Sequence, residues 1–405
     1  MTASSLRGDE GGLQRNPMTP EQAFLPAVVI YGANASGKSN VILAMRFMQT
    51  SVLFSQSMGR PQGGVPRSPF ALDLDSEQQP SVFTIDFAQG DLRYHYGFEC
   101  SDEGFISEWL YSFPNNKQTR MFVRKGKDFE FGRALRGRNR TIADLTRPNS
   151  LFVSAGFQNN HPGLQDVFQF FVSMQFDREI AAASLEQDAM TADGNIDSRT
   201  IKFLRRLGTG IVDHRVREEE LSDEAKVISK AFMEALKSQN LGEMAPTFDV
   251  EKNKSIELGH MSVANETRYF RLARESSGTR RLLNMLGRCF NALDKGSLVV
   301  IDEMDASLHT KASEAIITLF NNKEINKLGA QLIATTHDTN LLSSPLLRRD
   351  QIWFTEKDDI GASDLYPLSD IATRAGDNIE KGYLQGKYGA VPFSGSAESL
   401  FDESL

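Results

Sequence analysis

Apolar positions along the chain fall into runs of different period, and their order predicts the architecture. Ala27–Tyr31 (AVVIY) is a continuous apolar run of strand length and reads as a buried strand. After a glycine-bracketed loop, Asn40–Phe54 carries Val41, Leu43, Ala44, Phe47 and Met48 at helical spacing. From Phe70 to Phe113 the pattern becomes short alternating segments, Val82–Phe87, Leu92–Phe98 and Phe105–Tyr111. Gln89-Gly90-Asp91 supplies a hairpin break, so an antiparallel sheet is expected. A basic hairpin region continues to about Arg147. Residues 150–245 read as mostly helical, with Gly163–Phe176 (stripe Leu164, Val167, Phe168, Phe171, Val172), Ser198–Leu207 and Ser222–Leu236 as examples. A second hairpin is expected at Phe248–Phe270. Helix and strand then alternate from Gly278 to about Tyr366, with strands at Leu298–Ile301, Gln331–Thr335 and Gln351–Phe354. This order suits one nucleotide-binding α/β sheet interrupted by a long insertion. The segments divide into a polar leader (1–26), a first part of the core with an antiparallel β subdomain (27–149), a helical insertion (150–247), a second part of the core (248–370) and a C-terminal tail (371–405).

The 405 residues exceed the ~250–300 at which one core usually stops growing, so two lobes are expected. With 40% hydrophobic and 24% charged residues, the composition is that of an ordinary globular protein. No run approaches the ~18 apolar residues of a membrane span, and the N-terminus lacks a signal-peptide core, which points to a cytoplasmic protein with no membrane partner. Cys100 and Cys289 lie far apart and the six histidines are scattered, so no zinc pattern forms. A net charge of −8 argues against a generic nucleic-acid coat while leaving room for a local basic patch.

Gly32-Ala33-Asn34-Ala35-Ser36-Gly37-Lys38-Ser39 fits G-x-x-x-x-G-K-S/T, follows a strand and opens a helix at Asn40. Glycines let the backbone wrap phosphates, and amides at the helix start bind their oxygens. Lys38 would reach the β- and γ-phosphates and the Ser39 hydroxyl would be a Mg²⁺ ligand. Leu298–Ile301 ends in Asp302 and Glu303: Asp302 is placed for Mg²⁺, Glu303 to orient the attacking water. Asp305 follows at once. Upstream, Glu275-Ser276-Ser277-Gly278-Thr279 opens the helix Arg280–Leu293, with Ser276 as N-cap. Gln331–Thr335 leads to His337, which either touches the γ-phosphate or is a hydrogen-bonded loop histidine.

Together these elements resemble the ABC-type ATPase heads of SMC proteins, their break-repair relatives and the overcoming-lysogenisation-defect family. IYGANASGKSN, ESSGTRRLLNML, VVIDEMDASLH, ATTHDTNLL and GYLQGKYGAVP are most similar to the abortive-infection-type AAA ATPases of bacterial anti-phage operons. The resemblance covers about residues 27–395. It implies an ABC-type P-loop ATPase head using ATP and Mg²⁺, with a composite site. One protomer contributes Gly32–Ser39, Asp302, Glu303 and His337; its partner contributes the signature loop Ser276–Thr279, with Asp305 as the D-loop. It also implies a homodimer or larger homo-oligomer, and a sensor or scaffold role controlling a separately encoded toxic effector such as a nuclease, released by a phage protein or DNA. Two departures stand out. No aromatic "FRSF"-like turn, which in the family stacks near the base, precedes Ala27. Nor can a Q-loop glutamine be placed, Gln78 and Gln79 being the nearby candidates.

Lys117–Arg147 holds ten Lys/Arg, among them Arg124, Lys125, Arg133, Arg136, Arg138 and Arg140, against Asp128, Glu130 and Asp144. Phe122, Phe129 and Phe131 are interleaved. This is compatible with a nucleic-acid or acidic-protein contact, or with a solvated hairpin edge whose charges prevent strand pairing. Asp73-Leu74-Asp75 reads as a loop turn. A DNA-clamping head is the rival reading, although 150–245 is too short and irregular for a long coiled coil. A transporter ATPase subunit is a third, made awkward by the size of the insertion.

Overall fold

The run Ala27–Gly32 forms strand β1, buried at every position, in a computed structural model that describes residue 13 and residues 23–177, 195–220, 226–227, 230, 252–374 and 376–391. Nearly all of the expected leader and most of the Ser222–Leu236 helix lie outside those residues. After β1 come α1 (Lys38–Met58) and the short α2 (Leu74–Gln78). Five antiparallel strands follow: β2 (Ser81–Gln89), β3 (Leu92–Cys100), β4 (Phe105–Ser112), β5 (Thr119–Lys125) and β6 (Asp128–Phe131). Helices α3 (Asn139–Leu145), α4 (Phe152–Gln158) and α5 (Gln165–Ser173) lead to β7 (Gln175–Phe176). Beyond these lie α6 (Ser198–Arg206), β8 (Ile211–Glu220), β9 (Lys252–Met261), β10 (Thr267–Arg271), α7 (Ser277–Lys295), β11 (Leu298–Ile301), α8 (Thr310–Asn321) and β12 (Gln331–Thr335). Strands β13 (Ile352–Lys357) and β14 (Ser363–Pro367) and helix α9 (Ile379–Leu384) complete the described elements. None of the described helices is long and apolar enough to cross a membrane.

The central sheet is ordered β14-β13-β1-β12-β11-β7. Its neighbours run parallel except β13 and β14, an antiparallel hairpin. Because side chains alternate along a strand, β1 feeds two cores. Ala27, Val29 and Tyr31 pack with Leu282, Leu286 and Phe290 of α7 and Ile316 and Phe320 of α8. Val28 and Ile30 face the other way, towards Ile42 and Val52 of α1 and the inner face of the antiparallel sheet, Tyr96, Phe98 and Phe122. The parallel arrangement brings the C-terminal ends of β1, β12 and β11 to one edge, where open α/β sheets bind ligands.

Two sequence expectations change. The stretch 150–245 is not helical throughout: Ile211–Glu220 is the strand β8, paired antiparallel to β9. Arg215–Glu257 at 2.6 Å and Lys254–Glu218 at 3.6 Å tie that pair together across the strands. β7 also returns the chain to the central sheet, beside β11. Within the Leu164 stripe, Leu164, Val167, Phe168 and Phe171 are buried but Val172 is exposed.

The second change concerns the basic segment. Arg124 is not a surface contact. On β5 it points inward with Phe122, and it is buried 3.8 Å from the buried Glu108 carboxylate. It donates to the carbonyls of Gly126, Ser150 and Arg147 and lies over the Phe129 ring. Phe122 and Phe129 are core residues rather than interleaved surface aromatics. Burial pushes the Glu108 carboxyl upward; Arg124, the Phe152 and Val153 amides and the Tyr96 hydroxyl hold it down. Arg124→Ala would leave a buried carboxylate without its cation. A loss of about 3–5 kcal/mol is expected in urea unfolding, and an unchanged midpoint would show the pair to be idle.

Candidate functional site

The glycine loop is shaped by backbone geometry. Gly37, at the N-cap of α1, has φ +108°, and a Cβ there would fall 2.2 Å from Ser363 Oγ on β14. Only glycine meets both demands. Ala35 also takes positive φ (62°), as do Glu303 (49°) and Ser307 (62°). Such conformations are costly outside glycine and asparagine and concentrate at functional loops. Ser36 Oγ lies 2.6 Å from Thr355 Oγ1 of β13, which fixes the loop against the neighbouring strand. Asn34, Ala35, Ser39 and Asn40 face solvent, and Ala33 is half-buried.

Lys38 is buried, and its ammonium donates to the carbonyls of Gly32 and Ala33, each at 2.9 Å. Burial lowers its pKa, while the fields of Asp302, Glu303 and Asp305 act in the opposite sense. The lysine therefore sits within electrostatic reach of all three acids at the end of β11. Two threonines lace that acidic turn to the end of β12. Thr335 Oγ1 donates to Asp302 Oδ1 and accepts from the Glu303 amide at 2.7 Å. Thr336 Oγ1 donates to Asp305 Oδ1 at 2.7 Å, and the His337 amide donates to the same oxygen at 3.1 Å. The His337 ring itself is exposed at this edge.

Ser276 caps α7: its hydroxyl accepts from the Thr279 amide at 3.0 Å and lies 2.8 Å from Thr279 Oγ1. Ser276 and Ser277 are exposed. A Cβ at Gly278 would stand 2.4 Å from the Ser307 carbonyl, so the tip of α7 packs tightly on the turn after Asp305. Further along α7, Arg281 donates to the carbonyls of Asp302 (2.7 Å) and Glu303 (2.8 Å). The structure thus groups Gly32–Ser39, Asp302, Glu303, Asp305 and His337 at one sheet edge. It places Ser276–Thr279 against the Ser307 turn.

Several contributors escaped the sequence reading. Thr335 and Thr336 stand inside the quoted ATTHD string, and only their contacts reveal what they hold. Arg281 is one of three arginines in a helical run. Asp177, at the end of β7, pairs with Arg281 at 3.6 Å and Arg288 at 3.9 Å. Gln78 and Gln79 are exposed at the end of α2. Asp73-Leu74-Asp75 is not a loop turn: Asp73 is the N-cap of the short helix α2, accepting from the Ser76 amide at 2.9 Å, and Leu74 and Asp75 open that helix. In the basic segment, Lys125, Arg133, Arg136, Arg138 and Arg140 are exposed.

The parallel sheet, the glycine loop at the start of α1 and the acidic strand end define an ABC-type P-loop ATPase head. A family model described as "AAA domain, putative AbiEii toxin, Type IV TA system" matches residues 27–343. The chain belongs to this family of Abi-type AAA ATPases. No curated protein matches it. Among solved structures, it is similar to an Smc head bound to the C-terminal winged-helix domain of ScpA, with 15% identity, TM-score 0.35, and coverage of 88% of this chain and 95% of that one. An Smc head with an extended coiled coil, bound to the C-terminal domain of ScpA from Pyrococcus furiosus, shows 13% identity, TM-score 0.30, and coverage of 88% and 96%.

Proposed function

We propose that the chain hydrolyses ATP and acts, in the cytoplasm, as the sensor or scaffold of a bacterial abortive-infection system, controlling a separately encoded toxic effector such as a nuclease. The observation that carries the hydrolytic part is that buried Lys38 follows β1 while Asp302, Glu303 and Asp305 follow β11, at the same edge of the parallel sheet. The donor set fits magnesium triphosphate. Main-chain amides and Lys38 suit anionic oxygens, and the Ser39 hydroxyl and the Asp302 carboxylate are hard oxygen ligands. Magnesium, which Ser39 and Asp302 would hold, would supply neutralisation of phosphate charge. Lys38 exchanges its two carbonyl partners for phosphate oxygens. Glu303, its amide held by Thr335, accepts a proton from the attacking water and orients it. His337 and the Ser276–Thr279 tip of a second copy approach the γ-phosphate from either side, so that two copies enclose each nucleotide. The sensor and effector roles rest on family membership, which is analogy.

The test is magnesium-dependent phosphate release by the full chain, with Lys38→Ala as control. Activity is expected in the wild type, together with at least tenfold weaker ATP binding in the variant. Equal activity in the two chains would remove the assigned site. Co-purification with the product of the adjacent gene tests the effector role, and no association under any nucleotide condition would sink it.

A second reading, a head that clamps DNA, draws on Arg133, Arg136 and Arg138. These are exposed and have no ion pair among the described residues. ATP-dependent DNA binding that weakens with salt and disappears on charge reversal at Arg136 and Arg138 would favour it.

A further inference from the structure

Strand order sets the direction in which a nucleotide must lie. Asp302 and Glu303 follow β11, two strands from β1 on one side; the β13–β14 hairpin occupies the other side. With neighbouring strands about 4.8 Å apart, a triphosphate whose γ end faces the acids sends its ribose and base towards the hairpin. Three observations make that side a distinct surface. Ser363 abuts the glycine loop, since a Cβ at Gly37 would lie 2.2 Å from its hydroxyl. The turn before it is rigid: Asp358 accepts from the amides of Ile360 at 3.1 Å and Ala362 at 2.8 Å. Gly361 in that turn comes against Leu72, whose Cδ1 is 2.8 Å from the place of a glycine Cβ. Leu72 and Ile360, the neighbour of Gly361 in that turn, are 72% and 62% exposed, two large apolar side chains beside a polar loop. Because Asp358 already engages the Ile360 and Ala362 amides, these two donors are not free for a base edge.

We propose that Leu72 and Ile360 form an apolar clamp for the face of the nucleotide base, with Ser363 at the ribose side of the glycine loop. The clamp combines the segment around α2 with a hairpin beyond the residues matched by the family model. The inference rests on the proposed ATP site.

Two ligands that share phosphates but not a base separate the two ideas. Calorimetry on the full chain with magnesium ATP and with magnesium tripolyphosphate is expected to show ATP binding at least tenfold tighter. In the double variant Leu72→Ser/Ile360→Ser, ATP affinity is expected to fall at least tenfold while tripolyphosphate affinity stays within twofold of wild type. An unchanged melting temperature would confirm that these exposed positions leave the fold intact. Unchanged ATP affinity in the variant, or equal affinity of the wild type for both ligands, overturns the clamp and leaves the phosphate site standing. Failure of the wild type to bind either ligand overturns the ATP site and the clamp together. Equal weakening of both ligands in the variant also overturns the clamp.

Discussion

Glu303→Gln is expected to bind ATP as tightly as wild type and hydrolyse it roughly 10²–10⁴-fold more slowly, the usual contribution of a positioned general base. The amide is nearly isosteric with the carboxylate, so the turn after β11 should keep its shape, but it cannot take a proton from water. Two features isolate the effect to chemistry. Glu303 is held by its backbone, through the Thr335 hydroxyl and Arg281, rather than by its side chain. Its side chain is exposed towards the sheet edge and is not part of either core. Single-turnover phosphate release beside equilibrium ATP binding reads the two quantities separately. Wild-type turnover would remove Glu303 as the water-orienting group, and loss of binding would reassign it to holding the nucleotide. Slow turnover should also trap the closed assembly, visible as an ATP-dependent rise in mass by light scattering.

The sequence carried the local elements of this site well because each has a local physical cause. Gly37 must accept a positive φ and a close neighbour, so the glycine loop is legible without a structure. Val299–Ile301 is buried on both faces of a parallel sheet, which requires a continuous apolar run ending where the acids begin. What the sequence concealed depends on partners distant along the chain. β8 carries acids and bases where alternating apolar residues would have marked a strand. Its pairing with β9 uses Arg215 with Glu257 and Glu218 with Lys254, which a window on one segment cannot see. A count of charge groups Arg124 with its basic neighbours because charge alone takes no note of direction. Two residues from Phe122 on the same strand, it faces the core and meets Glu108 there. Thr335 and Thr336 read as the polar end of a buried strand until the acidic turn lies beside them.

The same lacing has a mechanical consequence. Asp302, Glu303 and Asp305 are bonded to the end of β12 through Thr335, Thr336 and the His337 amide, and Arg281 ties the first two to α7. The tip of α7 rests in turn on the Ser307 carbonyl. Acids, histidine strand and serine-rich tip therefore belong to one connected set of short contacts. A shift of the acidic turn would pass to the tip through a single helix. In a pair of heads, that tip is the part proposed to face the neighbour's nucleotide.

This composite arrangement predicts that two inactive variants restore each other. Ser276→Arg should bind ATP normally and hydrolyse none, because the arginine stands at the exposed start of α7 rather than in the chain's own glycine loop. Loss of the Ser276 cap costs only about 1 kcal/mol, too little to unfold the helix. Lys38→Ala should lose hydrolysis through weakened binding. In an equimolar mixture, half of randomly formed dimers pair one chain of each kind. Each mixed dimer has one damaged site, formed from both substitutions, and one intact site, in which Lys38 of the first chain faces Ser276 of the second. Activity should therefore recover to roughly a quarter of the wild-type rate per chain, as a symmetric two-site dimer requires. Recovery proves that both variants fold and that the tip acts on its neighbour. If the mixture stays inactive while each chain melts like wild type, the Ser276–Thr279 tip does not complete a partner's site.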